Sequence, residues 1–178
     1  PTAQVDRWAD QIWACVAGSR RWVLVCRRHR KFDERTAIRS FSRECETWAD
    51  STWEVPRSIT GVIVVVFGVL VVARSVLQRA VAPASADAEI AAYARASKEA
   101  MHVRMFVAQL AGVDVSALPP TPVYGDNAAA LKFAQEHAVS SALKHVPLAH
   151  YYSMERAESG DLLFLGVSTG NNLSNYMT

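Results

Sequence analysis

The sequence predicts a mixed α/β fold, a sheet with helices packed against it. Three observations carry that prediction. Apolar strand-like runs span Val62 to Ala73, rich in β-branched residues, and Leu162 to Val167, a long Ala-rich helical pattern runs from Ser85 to about Leu110, and acidic or amide residues fall where elements begin or end. The 178 residues suit one domain with a short appendage, and 51% hydrophobic content is ample for a packed core rather than a disordered tail. A formal charge of +2 permits a nucleic-acid partner without requiring one. Cys15, Cys26 and Cys45 lie far apart and form no Cys-x-x-Cys pair. Neither a zinc site nor a disulfide framework is expected, and a reducing compartment is the default. With no initiator Met and no cleavable signal pattern, the chain reads as a fragment of a longer polypeptide.

The elements follow in order. Val5, Trp8, Ile12, Cys15 and Val16 make one face of a short amphipathic helix that Gly18 would stop. Trp22 to Cys26 is a strand pattern running into Arg27-Arg28-His29-Arg30-Lys31, a solvated basic loop or a phosphate contact. Ser40 to Trp53 alternates apolar and polar residues and delivers Asp50 near the end of a strand. Arg57 to Gly61 is a turn, and Val62 to Ala73 reads as two buried strands joined by a hairpin at Gly68. A membrane span is the rival for that run, but a span needs about 20 apolar residues, and this one is bounded by Arg57 and Arg74. Val81 begins a short strand containing Pro83, and Ser85 is the expected N-cap of the long helix. The apolar face of that helix runs through Ile90, Tyr93, Ala94, Met101, Met105 and Ala108, with Asp87 and Glu89 in its first turns.

Val113 to Pro120 is a linker. A strand then ends on Asp126, and a helical pattern starts at once, so Asp126 is either a simple N-cap or a functional carboxylate at a strand-to-helix turn. Leu143 to Glu158 is a further helical stretch, in which His145 and His150 take surface or packing roles, and Gly160 closes it. Leu162 to Val167 is a strand, Ser168 to Asn172 a polar turn, and Leu173 to Thr178 the start of one more helix.

A series of motifs in this order resembles the RNase H domain of copia-type LTR retrotransposon polyproteins. Asp50-Ser-Thr-Trp53 stands where that family has Asp-Ala-Asp-Trp, Arg57-Ser-Ile-Thr-Gly61 resembles Arg-Ser-Thr-Ser-Gly, and Arg74-Ser-Val-Leu-Gln78 resembles Lys/Arg-Ser-x-x-Gln. Ser85-Ala-Asp-Ala-Glu-Ile90 is similar to Ser-Thr-Glu-Ala-Glu-Tyr, Gly125-Asp-Asn-Ala-Ala-Ala-Leu131 to Cys-Asp-Asn-x-x-Ala-Ile, and Leu143-Lys-His-Val146 to Thr-Lys-His-Ile. Val167 to Thr178 resembles the family's closing Val-x-Thr-x-x-Asn-x-Ala-Asp-x-x-Thr-Lys, and the resemblance covers about Thr47 to Thr178. Residues 1–46 are expected to be a connection-like extension.

The resemblance implies an RNase H-like, mixed five-stranded sheet flanked by helices, with the final helix truncated. It implies catalytic metal ligands at Asp50, Glu89, Asp126 and Asn175, holding Mg²⁺ or Mn²⁺ for hydrolysis of the RNA strand of an RNA–DNA hybrid. Nucleic-acid contacts are expected from Arg57, Arg74, Gln78, Asn127, Lys144 and His145. Expected partners are the hybrid and the rest of a reverse transcriptase polyprotein or another protein assembly, with an intracellular setting in the cytoplasm or a retroelement particle. The departures are specific: Asn175 offers a carbonyl oxygen but no charge, Thr52 replaces the second Asp of the first motif, and basic positions around Lys144 are lost. The alternative is a decayed RNase H-fold module retained as a structural or interaction subunit.

Overall fold

The structure, a computed structural model, describes residues 45–66, 68–136 and 148–178. Strands β1 (Cys45–Ser51), β2 (Ile59–Val66) and β3 (Val69–Leu77) form an antiparallel meander. β4 (Thr121–Gly125) pairs parallel to β1, and β5 (Leu162–Gly166) parallel to β4. The five strands lie in the order β3-β2-β1-β4-β5. Helix α1 (Ser85–Ala111) packs on β1 and β2, and α2 (Ala128–Gln135) and α3 (Tyr152–Glu158) pack beside it. A mixed sheet needs helical cover wherever strands run parallel, and the connections from β1 through α1 to β4 and from β4 through α2 and α3 to β5 supply it.

The core follows the strand period. Val62, Val64 and Val66 join Cys45 and Ala49 against Ile90, Tyr93, Ala96, Ala100 and Met101 of α1. Gly68, with φ of 74°, turns β2 into β3. Among the described residues no helix is long and apolar enough to cross a membrane, and the Val62–Ala73 run is the expected hairpin.

Several expectations need correction. Of the strand expected over Ser40–Trp53, residues 40–44 lie outside the described residues, and β1 stops at Ser51, with Trp53 turned outward to donate its indole N–H to Ala82 O. β2 starts at Ile59, inside the expected turn, because its ladder to β3 begins there. β3 is an edge strand with alternating exposure rather than a buried one. No strand forms at Val81–Pro83, where proline lacks a ladder donor. Ser85 is the first residue of α1 rather than its cap; Ala84 precedes it, and Asp87 accepts the Ala84 N–H at 3.1 Å.

Met105 is 58% exposed, whereas Arg104, one position earlier, is 1% exposed. Met105 instead helps line an open groove of about 530 Å³ with His102, Phe106, Gln109 and Val113. The linker contains a 3₁₀ turn at Val115–Ala117, and another covers Leu148–Tyr151 ahead of α3. The chain after β5 forms 3₁₀ turns at Thr169–Asn171 and Leu173–Tyr176 in place of a helix start. The expected N-terminal helix, the strand at Trp22–Cys26, the basic loop and residues 143–147 lie outside the described residues.

Candidate metal centre

The carboxylates converge because of strand register. In the parallel β1/β4 pair Trp48 stands opposite Tyr124, so Asp50 and Asp126, each two residues further on, leave neighbouring strands at the same level. Helix α1 starts at that end of the sheet and adds Glu89 from its second turn. Each of Asp50, Glu89 and Asp126 then offers a carboxylate oxygen within 4.8 Å of the others.

Asp126 is not an N-cap. Asn127 takes that role, its Oδ1 accepting the N–H groups of Ala129 at 3.0 Å and Ala130 at 3.1 Å. The Asp126 carboxylate is thereby left to the cluster, and the Asn127 side chain, expected to contact nucleic acid, uses its Oδ1 for capping.

Crowding and burial set the electrostatics. Burial raises the Asp50 carboxyl above its usual range; Asp126 raises it further, while the Thr178 hydroxyl and the Ser51 N–H oppose the rise. Glu89 is pushed up to about 8, first by burial and then by the charges of Asp50 and Asp126, with the Ser51 N–H pulling the other way. Glu89 Oε2 is buried with no hydrogen-bond partner. A buried carboxylate oxygen without a donor, beside two further acids, fits a cation site.

Asn175 lies in the last 3₁₀ turn, with its Nδ2 donating to Thr169 O at 2.6 Å and its Oδ1 without a partner. Thr178 Oγ1 stands 2.6 Å from Asp50 Oδ2 and 3.3 Å from the Asn175 carbonyl, tying this turn to the cluster. Asn172 anchors the same turn and was not singled out by sequence. It is buried, donates to Ala49 O at 3.0 Å and accepts from Ser174. The turn can come this close only because residue 61 is glycine; a Cβ there would lie 2.6 Å from Ser174 O.

The remaining candidates divide. Gln78, an expected nucleic-acid contact, donates to Ser51 Oγ, Thr60 Oγ1 and Ala88 O at 2.9–3.2 Å, so its amide braces β1, β2 and α1. Arg74 pairs with Glu99 at 3.2 Å, which Arg95 also contacts at 3.1 Å. Arg57 is exposed, and Lys144 and His145 lie outside the described residues. His150 is half-buried, and burial lowers its pKa.

No protein-family model and no curated relative matches the chain. Solved structures do. An RNase H1 isolated from compost by a metagenomic approach is similar with a TM-score of 0.53 at 17% identity, over 75% of this chain and 91% of that one. RNase H1 from the halophilic archaeon Halobacterium salinarum NRC-1 is similar with a TM-score of 0.52 at 14% identity, over 73% of this chain and 89% of that one. Strand order, parallel and antiparallel pairing, flanking helices and these likenesses agree: the chain has the RNase H-like fold.

Proposed function

We propose that this chain is a metal-dependent endonuclease that hydrolyses the RNA strand of RNA–DNA hybrids, the RNase H of a copia-type retroelement. One observation carries the reading: Asp50, Glu89 and Asp126 gather carboxylate oxygens within 4.8 Å, a density of negative charge that protons or cations must relieve. Hard oxygen donors of this kind fit Mg²⁺ or Mn²⁺. When bound, divalent ions polarise the phosphodiester and make water a competent nucleophile near neutral pH.

The chain's own residues prepare the ligands. The Thr178 hydroxyl holds Asp50 Oδ2, and the Ser51 backbone favours the charged forms of both Asp50 and Glu89. Gln78 ties together the strands and helix that carry them. Asn175 is a weaker, uncharged fourth ligand. Arg57, Arg74, Gln78, Asn127 and, outside the described residues, Lys144 and His145 are the proposed contacts to the hybrid; Arg74, Gln78 and Asn127 also hold Glu99, the Ser51–Thr60–Ala88 junction and the start of α2.

The retroelement assignment rests on the ordered motif series from Asp50 to Thr178. Residues 1–46 are proposed as the connection-like extension, on the absence of family motifs before Thr47. The remaining polyprotein is the expected partner, in the cytoplasm or a retroelement particle.

A second reading has one observation in its favour. Asn175 is neutral where the resemblance expects an acid, and its Nδ2 is bound to Thr169 O. On that reading the fold survives as a structural or interaction subunit and does not cleave. Cleavage of a labelled RNA–DNA hybrid in Mg²⁺ and in Mn²⁺ separates the two. The nuclease reading expects cutting by the chain, loss of at least a hundredfold in Asp126→Asn, and a gain in Asn175→Asp. Absence of cutting by both the chain and a folded Asn175→Asp variant contradicts it.

A further inference from the structure

Tyr93 sits directly behind the carboxylates. It lies on α1 one turn beyond Glu89, on the same helix face, and is 1% exposed. Its ring packs against Phe164 with centroids 5.7 Å apart. Its hydroxyl reaches the chain just before Asp126: a Cβ on Gly125 would lie 2.1 Å from Tyr93 Oη, so only glycine leaves it room. That hydroxyl has no partner at full hydrogen-bonding geometry. Burial and the charges of Glu89, Asp126 and Asp50, in that order, hold its proton on, while the Asn127 N–H acts in the opposite sense.

Phenylalanine would fill the same volume without burying an unpaired hydroxyl, so packing alone does not account for tyrosine here. The unmatched groups are complementary. Tyr93 Oη carries a proton with no acceptor, and Glu89 Oε2 is an acceptor with no donor, one helical turn away. Asn127, the residue after Asp126, lies close enough for its backbone to act on the same hydroxyl. The hydroxyl therefore stands between the chain that carries Asp126 and the helix that carries Glu89.

We propose that Tyr93 is a positioning residue of the carboxylate site, its hydroxyl donating to the acid cluster and holding the Asp126 turn so that the carboxylates receive a divalent cation. This rests on the reading of Asp50, Glu89 and Asp126 as a cation site. Hydrogen bonds to metal-ligating groups commonly set affinity by about ten- to a hundredfold.

The test is Tyr93→Phe in the full chain, with Mn²⁺ affinity measured by calorimetry and melting measured separately in EDTA. The expected result is Mn²⁺ binding weakened about tenfold or more, with the EDTA melting temperature unchanged or raised because the orphan hydroxyl is gone. If the chain cleaves hybrid, kcat at limiting Mn²⁺ falls and returns as Mn²⁺ is raised. Equal Mn²⁺ affinity in chain and variant overturns the proposal, whatever happens to melting. If the unaltered chain binds no Mn²⁺, the cation-site reading itself fails and this inference falls with it, a result the first arm of the experiment identifies on its own.

Discussion

Two buried ionic centres sit on one helix and are built in opposite ways. Near the start of α1, Glu89 joins Asp50 and Asp126 in a cluster of like charges, with Glu89 Oε2 unpartnered. Fifteen residues later, roughly 22 Å along the axis, Arg104 is buried to 1% exposure and its two terminal nitrogens are fully engaged. Nη1 donates to Pro119 O at 2.6 Å and Thr121 Oγ1 at 3.0 Å; Nη2 donates to Val115 O and Leu118 O at 3.3 Å and meets Asp161 Oδ1 at 3.5 Å. A buried charge that serves the fold acquires its complement from the chain. The carboxylate cluster lacks such a complement, and on the proposed reading a divalent cation supplies it.

The largest expected effect breaks the complete centre. Arg104→Ala takes the guanidinium away from Pro119 O, Leu118 O and Thr121 Oγ1 and leaves Asp161 to Arg156 and Ser159 alone, at a cost of about 3 kcal/mol. Urea denaturation measures it. Mn²⁺ affinity of the folded fraction should stay unchanged, because the two centres share no partner.

Next comes the close approach beside the acid cluster. Gly61→Ala places a Cβ 2.6 Å from Ser174 O and 2.9 Å from both Met177 Cβ and Thr178 Cγ2. Displacing that turn should cost about 1–3 kcal/mol and release the Thr178 hydroxyl from Asp50. Weaker cation binding should accompany the lower melting temperature, unlike in Arg104→Ala.

The third effect reverses sign, because relieving the incomplete centre should stabilise the metal-free protein. Glu89 titrates near 8 in the folded state against an ordinary value of 4.5, and Asp50 is shifted in the same direction. Between those values the folded chain binds more protons than the unfolded one. The stability from the protonated carboxyl is full below about 4.5 and is lost as pH rises through about 8. Melting in EDTA should therefore fall across this window. Glu89→Gln should flatten the fall and gain about 1–2 kcal/mol at the alkaline end, while abolishing any cleavage.

The contrast also marks how far the sequence could be read. The three acids were legible because each stands at the end of an element, where the parallel register of β1 and β4 brings Asp50 and Asp126 level. Asp126 was ambiguous as a possible cap until Asn127 proved to cap α2. Arg104 was illegible: hydrophobic patterning assigns arginine to solvent, so Met105 was placed inward although the carbonyls of residues 115–119 draw Arg104 into the core. Gln78 and Asn127 stand in functional motifs yet hold the framework together, a distinction that spacing alone does not carry. Tyr93 looked like core, and it is core, but the position of its hydroxyl depends on Gly125, thirty-two residues away.

The central claim is that the incomplete centre is completed by a divalent cation, and a melting experiment at pH 8 addresses it most directly. The chain, Glu89→Gln and Asp126→Asn are each melted in EDTA and in Mn²⁺ at about a hundredfold excess over Kd. The account predicts that Mn²⁺ raises the melting temperature of the chain by about 5 °C or more and leaves both variants within error of their EDTA values. A chain that does not respond to Mn²⁺, or three proteins that respond equally, would contradict it.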